Sequence, residues 1–152
     1  MKFYYLIGRL VSPFALLGFW VHQKLFHTPR ARVVVINEKN ELLLVRSWTG
    51  ENDWSLPGGG VEKAERPVEA AKRELFEETG IAVPLDAFTY LTTLHYKYQA
   101  PIYTVTVQSH QLPPSAHNPW EITAIAWFPV NDFPTRISPL VRLGLKALSK
   151  TI

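Results

Sequence analysis

The chain has 152 residues, of which 47% are hydrophobic and 19% charged, with a net charge of +3 and no cysteine. This is enough for one domain with a real core, and it excludes disulfides, thiolate metal sites and cysteine nucleophiles. The basic residues form no long run, so stable nucleic-acid binding is not expected, whereas small anionic ligands are. A chain without cysteine suits the cytoplasm.

The first feature in chain order is the mostly apolar run "FYYLIGRLVSPFALLGFWV", residues 3–21. Arg9 in its middle and the helix-breaking Pro13 argue against a membrane span, and no small-residue cleavage site follows to mark a signal peptide. The favoured reading of residues 1–28 is an apolar helical extension packed on the domain or on a partner. A segment lying at a membrane surface, and a homodimer contact through residues 3–21, stay open. "TPRAR" marks the boundary with a domain over residues 29–152.

Next, "ARVVVINEKNELLLVRSW" gives two apolar runs around "NEKN", which reads as a hairpin. Trp54 to Pro57 reads as a short strand leading into three glycines. A helix is expected from Pro67 to Thr79, with Pro67 in its first turn, Gly80 as its stop, and an apolar stripe of Val68, Ala71 and Leu75. "FTYLTTLHYKY" and "IYTVTVQSH" alternate like paired strands turning at "QAP". "LPPSAHNPW" is a loop and "EITAIAWFPV" a further strand. "SPLVRLGLKALSK" closes the chain as a helix capped by Ser138. This order of strands and two helices suggests an α/β (α+β) sandwich.

The helix before Gly80 carries an electrostatic problem. Glu74, Glu77 and Glu78 stand at i, i+3 and i+4, so their charges repel by roughly 0.2–0.5 kcal/mol per pair, and they meet the negative end of the helix dipole. One reading is a solvated acidic face relieved by Arg73 and by a Glu69 to Arg73 pair. The other is a divalent cation held by the carboxylates. Gly58, Gly59 and Gly60 just upstream permit a sharp turn and a close backbone approach to a ligand. Hard oxygen donors suit Mg²⁺, with Mn²⁺ as substitute, far better than zinc, and magnesium commonly shares its coordination sphere with substrate phosphates.

The stretch "GGVEKAERPVEAAKRELFEETGI" resembles the Nudix box, G-x5-E-x7-R-E-U-x-E-E-x-G-U with U a bulky aliphatic residue. Gly59, Glu65, Arg73, Glu74, Leu75, Glu77, Glu78, Gly80 and Ile81 fill its specified positions. The resemblance implies a Nudix-type α/β/α sandwich with a mixed sheet between helices. It also implies a Mg²⁺-dependent pyrophosphohydrolase acting on a nucleoside diphosphate linked to another group. By position, Glu74, Glu77 and Glu78 bind metal with the Gly59 carbonyl, Arg73 orients the glutamates, and Glu65 supports from the loop. Glu74 and Glu77 are the first candidates for general base. Glu121 in "PWEI" is a later candidate acid, or an ordinary strand-edge glutamate. Arg46 is a candidate phosphate donor, or a surface arginine.

Within this resemblance the substrate is sought outside the box. The proline that marks ADP-ribose hydrolases is missing near Lys97, and the tyrosine that marks dinucleoside polyphosphate hydrolases falls at Tyr98. Tyr96, Tyr103 and Trp48 are further candidates for stacking on a base, although a half-buried strand face also accounts for such aromatics. The favoured substrate is a (deoxy)nucleoside triphosphate or related nucleotide. ADP-ribose, a nucleotide sugar or a dinucleoside polyphosphate are alternatives. A non-catalytic nucleotide-binding module and a membrane-associated lipid-diphosphate hydrolase are the rivals from other classes.

Overall fold

A computed structural model describes residues 29–48, 53–95, 99–108 and 120–150. The N-terminal extension, Tyr96, Tyr98 and most of the loop before Trp120 lie outside the described residues, and so do the expectations attached to them. Among the described residues no helix is long and apolar enough to cross a membrane.

The Val-rich run folds as strand β1, Arg32–Asn37, and turns into β2, Glu41–Ser47. The turn forms because the Asn37 side-chain oxygen accepts the backbone N–H groups of Lys39 (3.0 Å) and Glu41 (2.9 Å), while Asn40 takes a left-handed φ of 58° that asparagine tolerates. β2 is flanked along its length by β6, Ile122–Pro129. Its other edge is divided: β1 meets it at Leu42, and the short β3, Trp54–Ser55, meets it at Val45 and Arg46. β1 then pairs in parallel with β5, Gln99–Val107, which is antiparallel to β4, Thr89–His95. The result is a mixed six-stranded sheet.

Two helices cover it. α1, Pro67–Thr79, lies over Val33, Val35, Leu43, Val105 and Val107, using Ala70, Ala71 and Leu75. α2, Pro139–Leu148, brings Val141 to the opposite core of Val34, Leu42, Leu44, Leu56 and Ile102. With both faces covered, β1 is buried at nearly every position, as a continuous apolar run requires. This is the expected α/β/α sandwich.

Three local expectations are corrected. "QAP" is not the turn between β4 and β5, because Gln99, Ala100 and Pro101 already pair with His95, Leu94 and Thr93. Pro101 fits as the third residue of β5, just before the parallel ladder with β1 begins at Ile102. The short strand stops at Ser55 and leaves Leu56 and Pro57 in the connection to the glycines. On α1, Val68 is only partly buried, and Glu78 and Thr79 join the buried face.

Candidate functional site

The glycine loop is held against the start of β1. Ala31 N–H donates to the Gly59 carbonyl (3.0 Å), Val33 N–H to Pro57 (2.9 Å), and Val61 N–H to Pro29 (2.9 Å). Gly58 has a φ of +132°, and a Cβ there would stand 2.2 Å from the Ala31 carbonyl oxygen, so this position excludes any side chain. A Cβ on Gly59 would stand 2.4 Å from the carboxylate carbon of Glu74. The loop therefore has no side chain where α1 presents its acids.

α1 begins with Pro67 after Arg66, and the Glu69 carboxylate accepts the Arg66 backbone N–H (2.9 Å) and guanidinium (2.7 Å). The expected Glu69 to Arg73 pair does not form, because Glu69 is used at the helix start. Gly80 ends the helix in the left-handed region (φ 72°), and its N–H donates to Phe76.

Arg73 instead gathers the box. Its Nε and Nη2 reach both oxygens of Glu65 at 2.9 and 3.0 Å, Nη1 reaches Glu74 (2.9 Å) and Glu77 (3.1 Å), and Nη2 also donates to the Gly60 carbonyl (2.9 Å). One planar guanidinium thus ties helix to loop and partly neutralises three acids. The arrangement raises its own pKa, chiefly through Glu65, and holds the Glu65 carboxyl below the ordinary range, chiefly through Arg73.

Glu78 is placed differently. It is 6% exposed, and its Oε2 accepts the Gly58 N–H at 2.8 Å. Burial pushes its pKa up to about 8, with the charges of Glu74 and Glu121 adding, against the opposing effects of Arg32 and the Gly58 amide. Burial likewise raises Glu74, with Arg73 opposing and Glu77 and Glu121 adding. Glu77 is half exposed. Glu74 and Glu78 thus share a region in which the charged form of each carboxyl is disfavoured.

Among the described residues no three carboxylate or imidazole groups stand close enough together to hold a metal ion as they are placed. Glu74 and Glu77 turn toward Arg73, and Glu78 toward the loop amide.

The structure thus brings together Glu65, Arg73, Glu74, Glu77, Glu78 and the three glycines, with Glu121 within electrostatic reach. It does not bring Arg46 to them. Arg46 lies in register with Trp54 and stacks on that ring at 4.5 Å, on the α2 face of the sheet. Tyr103 packs edge-on against Tyr90 at 5.8 Å and belongs to the strand face. Sequence reasoning missed Arg32, which is buried and donates to the carbonyls of Leu56 (3.2 Å) and Gly58. Its only signal was a cation opening a fully apolar strand. A cavity of about 500 Å³ lies on the flank of α1 at Lys72 and Phe76, and Glu74, Glu77 and Glu78 do not line it.

In sequence the chain is similar to an RNA pyrophosphohydrolase of Actinobacillus succinogenes, 33% identical over 75 residues. These are 49% of this chain and 38% of that protein, so the chain spans well under half the length of such curated relatives. In structure it is similar to a MutT NUDIX hydrolase from Burkholderia pseudomallei, with a TM-score of 0.68 and 26% identity over 80% of this chain and 97% of that one. It shares its fold with a bifunctional NMN adenylyltransferase/ADP ribose pyrophosphatase from Francisella tularensis, solved with AMP and a Mn ion, with a TM-score of 0.67 and 20% identity over 82% of this chain and 41% of that one. The family model for the NUDIX domain matches residues 26–146, far more than half of the sequence. The chain belongs to the Nudix family.

Proposed function

We propose that the protein hydrolyses a diphosphate bond in a nucleoside diphosphate linked to another group, most readily a (deoxy)nucleoside triphosphate or related nucleotide, with Mg²⁺ or Mn²⁺. The observation that carries this reading is the site on α1, where Glu74 and the buried Glu78, both with raised pKa, stand with Glu121 in electrostatic reach and Arg73 binds Glu65, Glu74 and Glu77. Buried carboxyls whose charged forms the protein alone disfavours, with oxygen donors alone, fit a hard divalent cation.

Glu74, Glu77 and Glu78 would hold the metal, with the second lone pair of the Gly59 carbonyl as a further donor. When bound, the metal supplies charge neutralisation at the phosphates and a more acidic water. Arg73 positions Glu74 and Glu77 and opposes the burial that raises the Glu74 pKa. Gly58 and Gly59, lacking side chains, let the loop pack directly against the backbone at Ala31 and the carboxylate of Glu74. Glu74 or Glu77 accepts the proton of the attacking water, and the half-exposed Glu77 passes it to solvent most easily. Glu121 adds negative charge from the β6 side.

The test is a phosphate and pyrophosphate release screen with Mg²⁺ over nucleoside triphosphates, nucleotide sugars, ADP-ribose, dinucleoside polyphosphates and RNA bearing a triphosphate end. RNA ends are included because the curated relatives are named RNA pyrophosphohydrolases. Turnover of one class that is lost in Glu77→Gln supports the reading. Turnover of none, by a folded protein, overturns it.

A further inference from the structure

The described residues begin at Pro29, and the chain is tied there to the glycine loop. The Pro29 carbonyl accepts the Val61 N–H at 2.9 Å, and Arg30 bridges to Gly60. The Gly60 carbonyl in turn accepts Arg73 Nη2 at 2.9 Å, and Arg73 lines the cavity of about 500 Å³ on the flank of α1. The chain therefore enters the domain beside that cavity.

The cavity walls are mostly apolar: Phe76, with 45% of its surface exposed, then Ile81, Ala82, Val83 and Leu85 on the chain that follows α1. Two acids of the lining are already matched, Glu65 by Arg73 and Glu69 by Arg66, so the cavity suits an uncharged apolar occupant. Residues 14–21, "FALLGFWV", are apolar or glycine at every position and need such cover. The uncharged run between Arg9 and Lys24 that contains them is shorter than the roughly 20 apolar residues that cross a bilayer. Residues 22–28 can span up to about 25 Å, more than the roughly 20 Å length of α1, so residue 21 can reach the flank of that helix from Pro29. So short a tether gives residues 14–21 a high effective concentration at their own cavity, which favours it over the cavity of a second copy.

We propose that residues 14–21 of the same chain dock into the cavity on the flank of α1, against Phe76, Ala82, Val83 and Leu85. Docking covers the apolar walls and lies next to Arg73, whose guanidinium ties α1 to the glycine loop. The N-terminal extension then belongs to the structure that holds the box helix in place. The inference does not depend on the proposed reaction.

The experiment is amide hydrogen exchange on the full chain without lipid, read on peptides covering residues 14–21 and β1. In the wild type, residues 14–21 are expected to exchange at least about tenfold more slowly than unprotected amides, equally at high and low protein concentration. Phe76→Asp and Ala82→Asp, both at exposed positions on the cavity, should each speed that exchange about tenfold or more and leave β1 protected, which shows that the domain still folds. Leu143→Asp, which places the same charge at an exposed position of α2 on the opposite face of the sheet, should change nothing at residues 14–21. Unprotected residues 14–21 in the wild type, or protection that both cavity variants retain, would overturn the proposal. So would protection lost on dilution, which would assign the segment to a second copy. Protection that appears only with vesicles of phosphatidylcholine and phosphatidylglycerol would overturn it in favour of a membrane surface.

Discussion

The buried carboxylate of Glu78 accepts the N–H of Gly58 at 2.8 Å, and this single bond joins the glycine loop to the last turn of α1. The bond is made by an acid whose pKa burial has raised to about 8. The junction that shapes the site therefore rests on a carboxyl that the metal-free fold favours in its protonated form.

This sets a pH dependence for the metal-free protein. Because the folded pKa of Glu78 lies above its ordinary value of 4.5, the folded state binds more protons than the unfolded state between pH 4.5 and about 8. The stabilising contribution is complete below the unfolded pKa and is lost as pH rises through the folded one, at a slope of at most about 1.4 kcal/mol per pH unit. Glu65, whose pKa is lowered, acts oppositely: its contribution is present above 4.5 and lost as pH falls below. Denaturant unfolding in EDTA is expected to show stability falling from pH 5 to pH 8, and Mg²⁺ should flatten that fall. A stability that rises over this interval in EDTA contradicts the assignment.

Replacing Glu78 by Gln keeps an oxygen for the Gly58 N–H and removes the charge. Without metal, the variant should be at least as stable as wild type at pH 8, while losing at least about tenfold in Mg²⁺ affinity. Thermal melts with and without Mg²⁺ read both effects. A variant that Mg²⁺ stabilises as strongly as wild type would show that Glu78 is not a ligand.

The three adjacent glycines should respond differently to alanine. Gly58→Ala meets backbone at 2.2 Å with a φ of +132°, so it is expected to lose roughly 2 kcal/mol or more of stability. At Gly59 the added methyl meets the mobile end of Glu74, so the protein should fold and lose activity as that carboxylate is displaced. Gly60 has nothing within 4 Å of an added Cβ, so its variant should be near wild type in both respects. Equal behaviour of all three variants, in melts and in turnover, would rule out this account of the loop.

Much of this was legible in the sequence. α1 begins and ends where Pro67 and Gly80 place it, and α2 begins where Ser138 and Pro139 place it, since capping chemistry is local. The parallel pairing of β1 with β5 was not, because strand partners so far apart in the chain leave no local signature. Helical spacing offers Glu69 as one partner for Arg73, but the loop from Gly60 to Glu65 folds back over the helix and supplies a bidentate partner, while Glu69 turns to Arg66. The sequence leaves Arg46 open between a phosphate donor and a surface arginine, and strand alternation puts it with Leu42 and Leu44 on the α2 face, over Trp54.

Arg73→Lys tests that network. A single ammonium cannot serve Glu65 bidentately and still reach Glu74, Glu77 and the Gly60 carbonyl, so the variant should lose about 1–3 kcal/mol and its rate should fall while Mg²⁺ still binds. Urea unfolding and kcat measured together check this. Unchanged stability would mean that the guanidinium bonds are not maintained in solution.

On the proposed reading the carboxylates of α1 would hold a divalent metal ion, and the protein would hydrolyse a diphosphate bond with it. The most direct test is Mg²⁺-dependent release of pyrophosphate or phosphate from a nucleoside triphosphate by wild type and by Glu77→Gln, a substitution at a half-exposed position that the fold tolerates. The account predicts turnover by the wild type that EDTA abolishes, and a loss of about 100-fold or more in the variant. A Glu77→Gln protein that retains the full rate would contradict it.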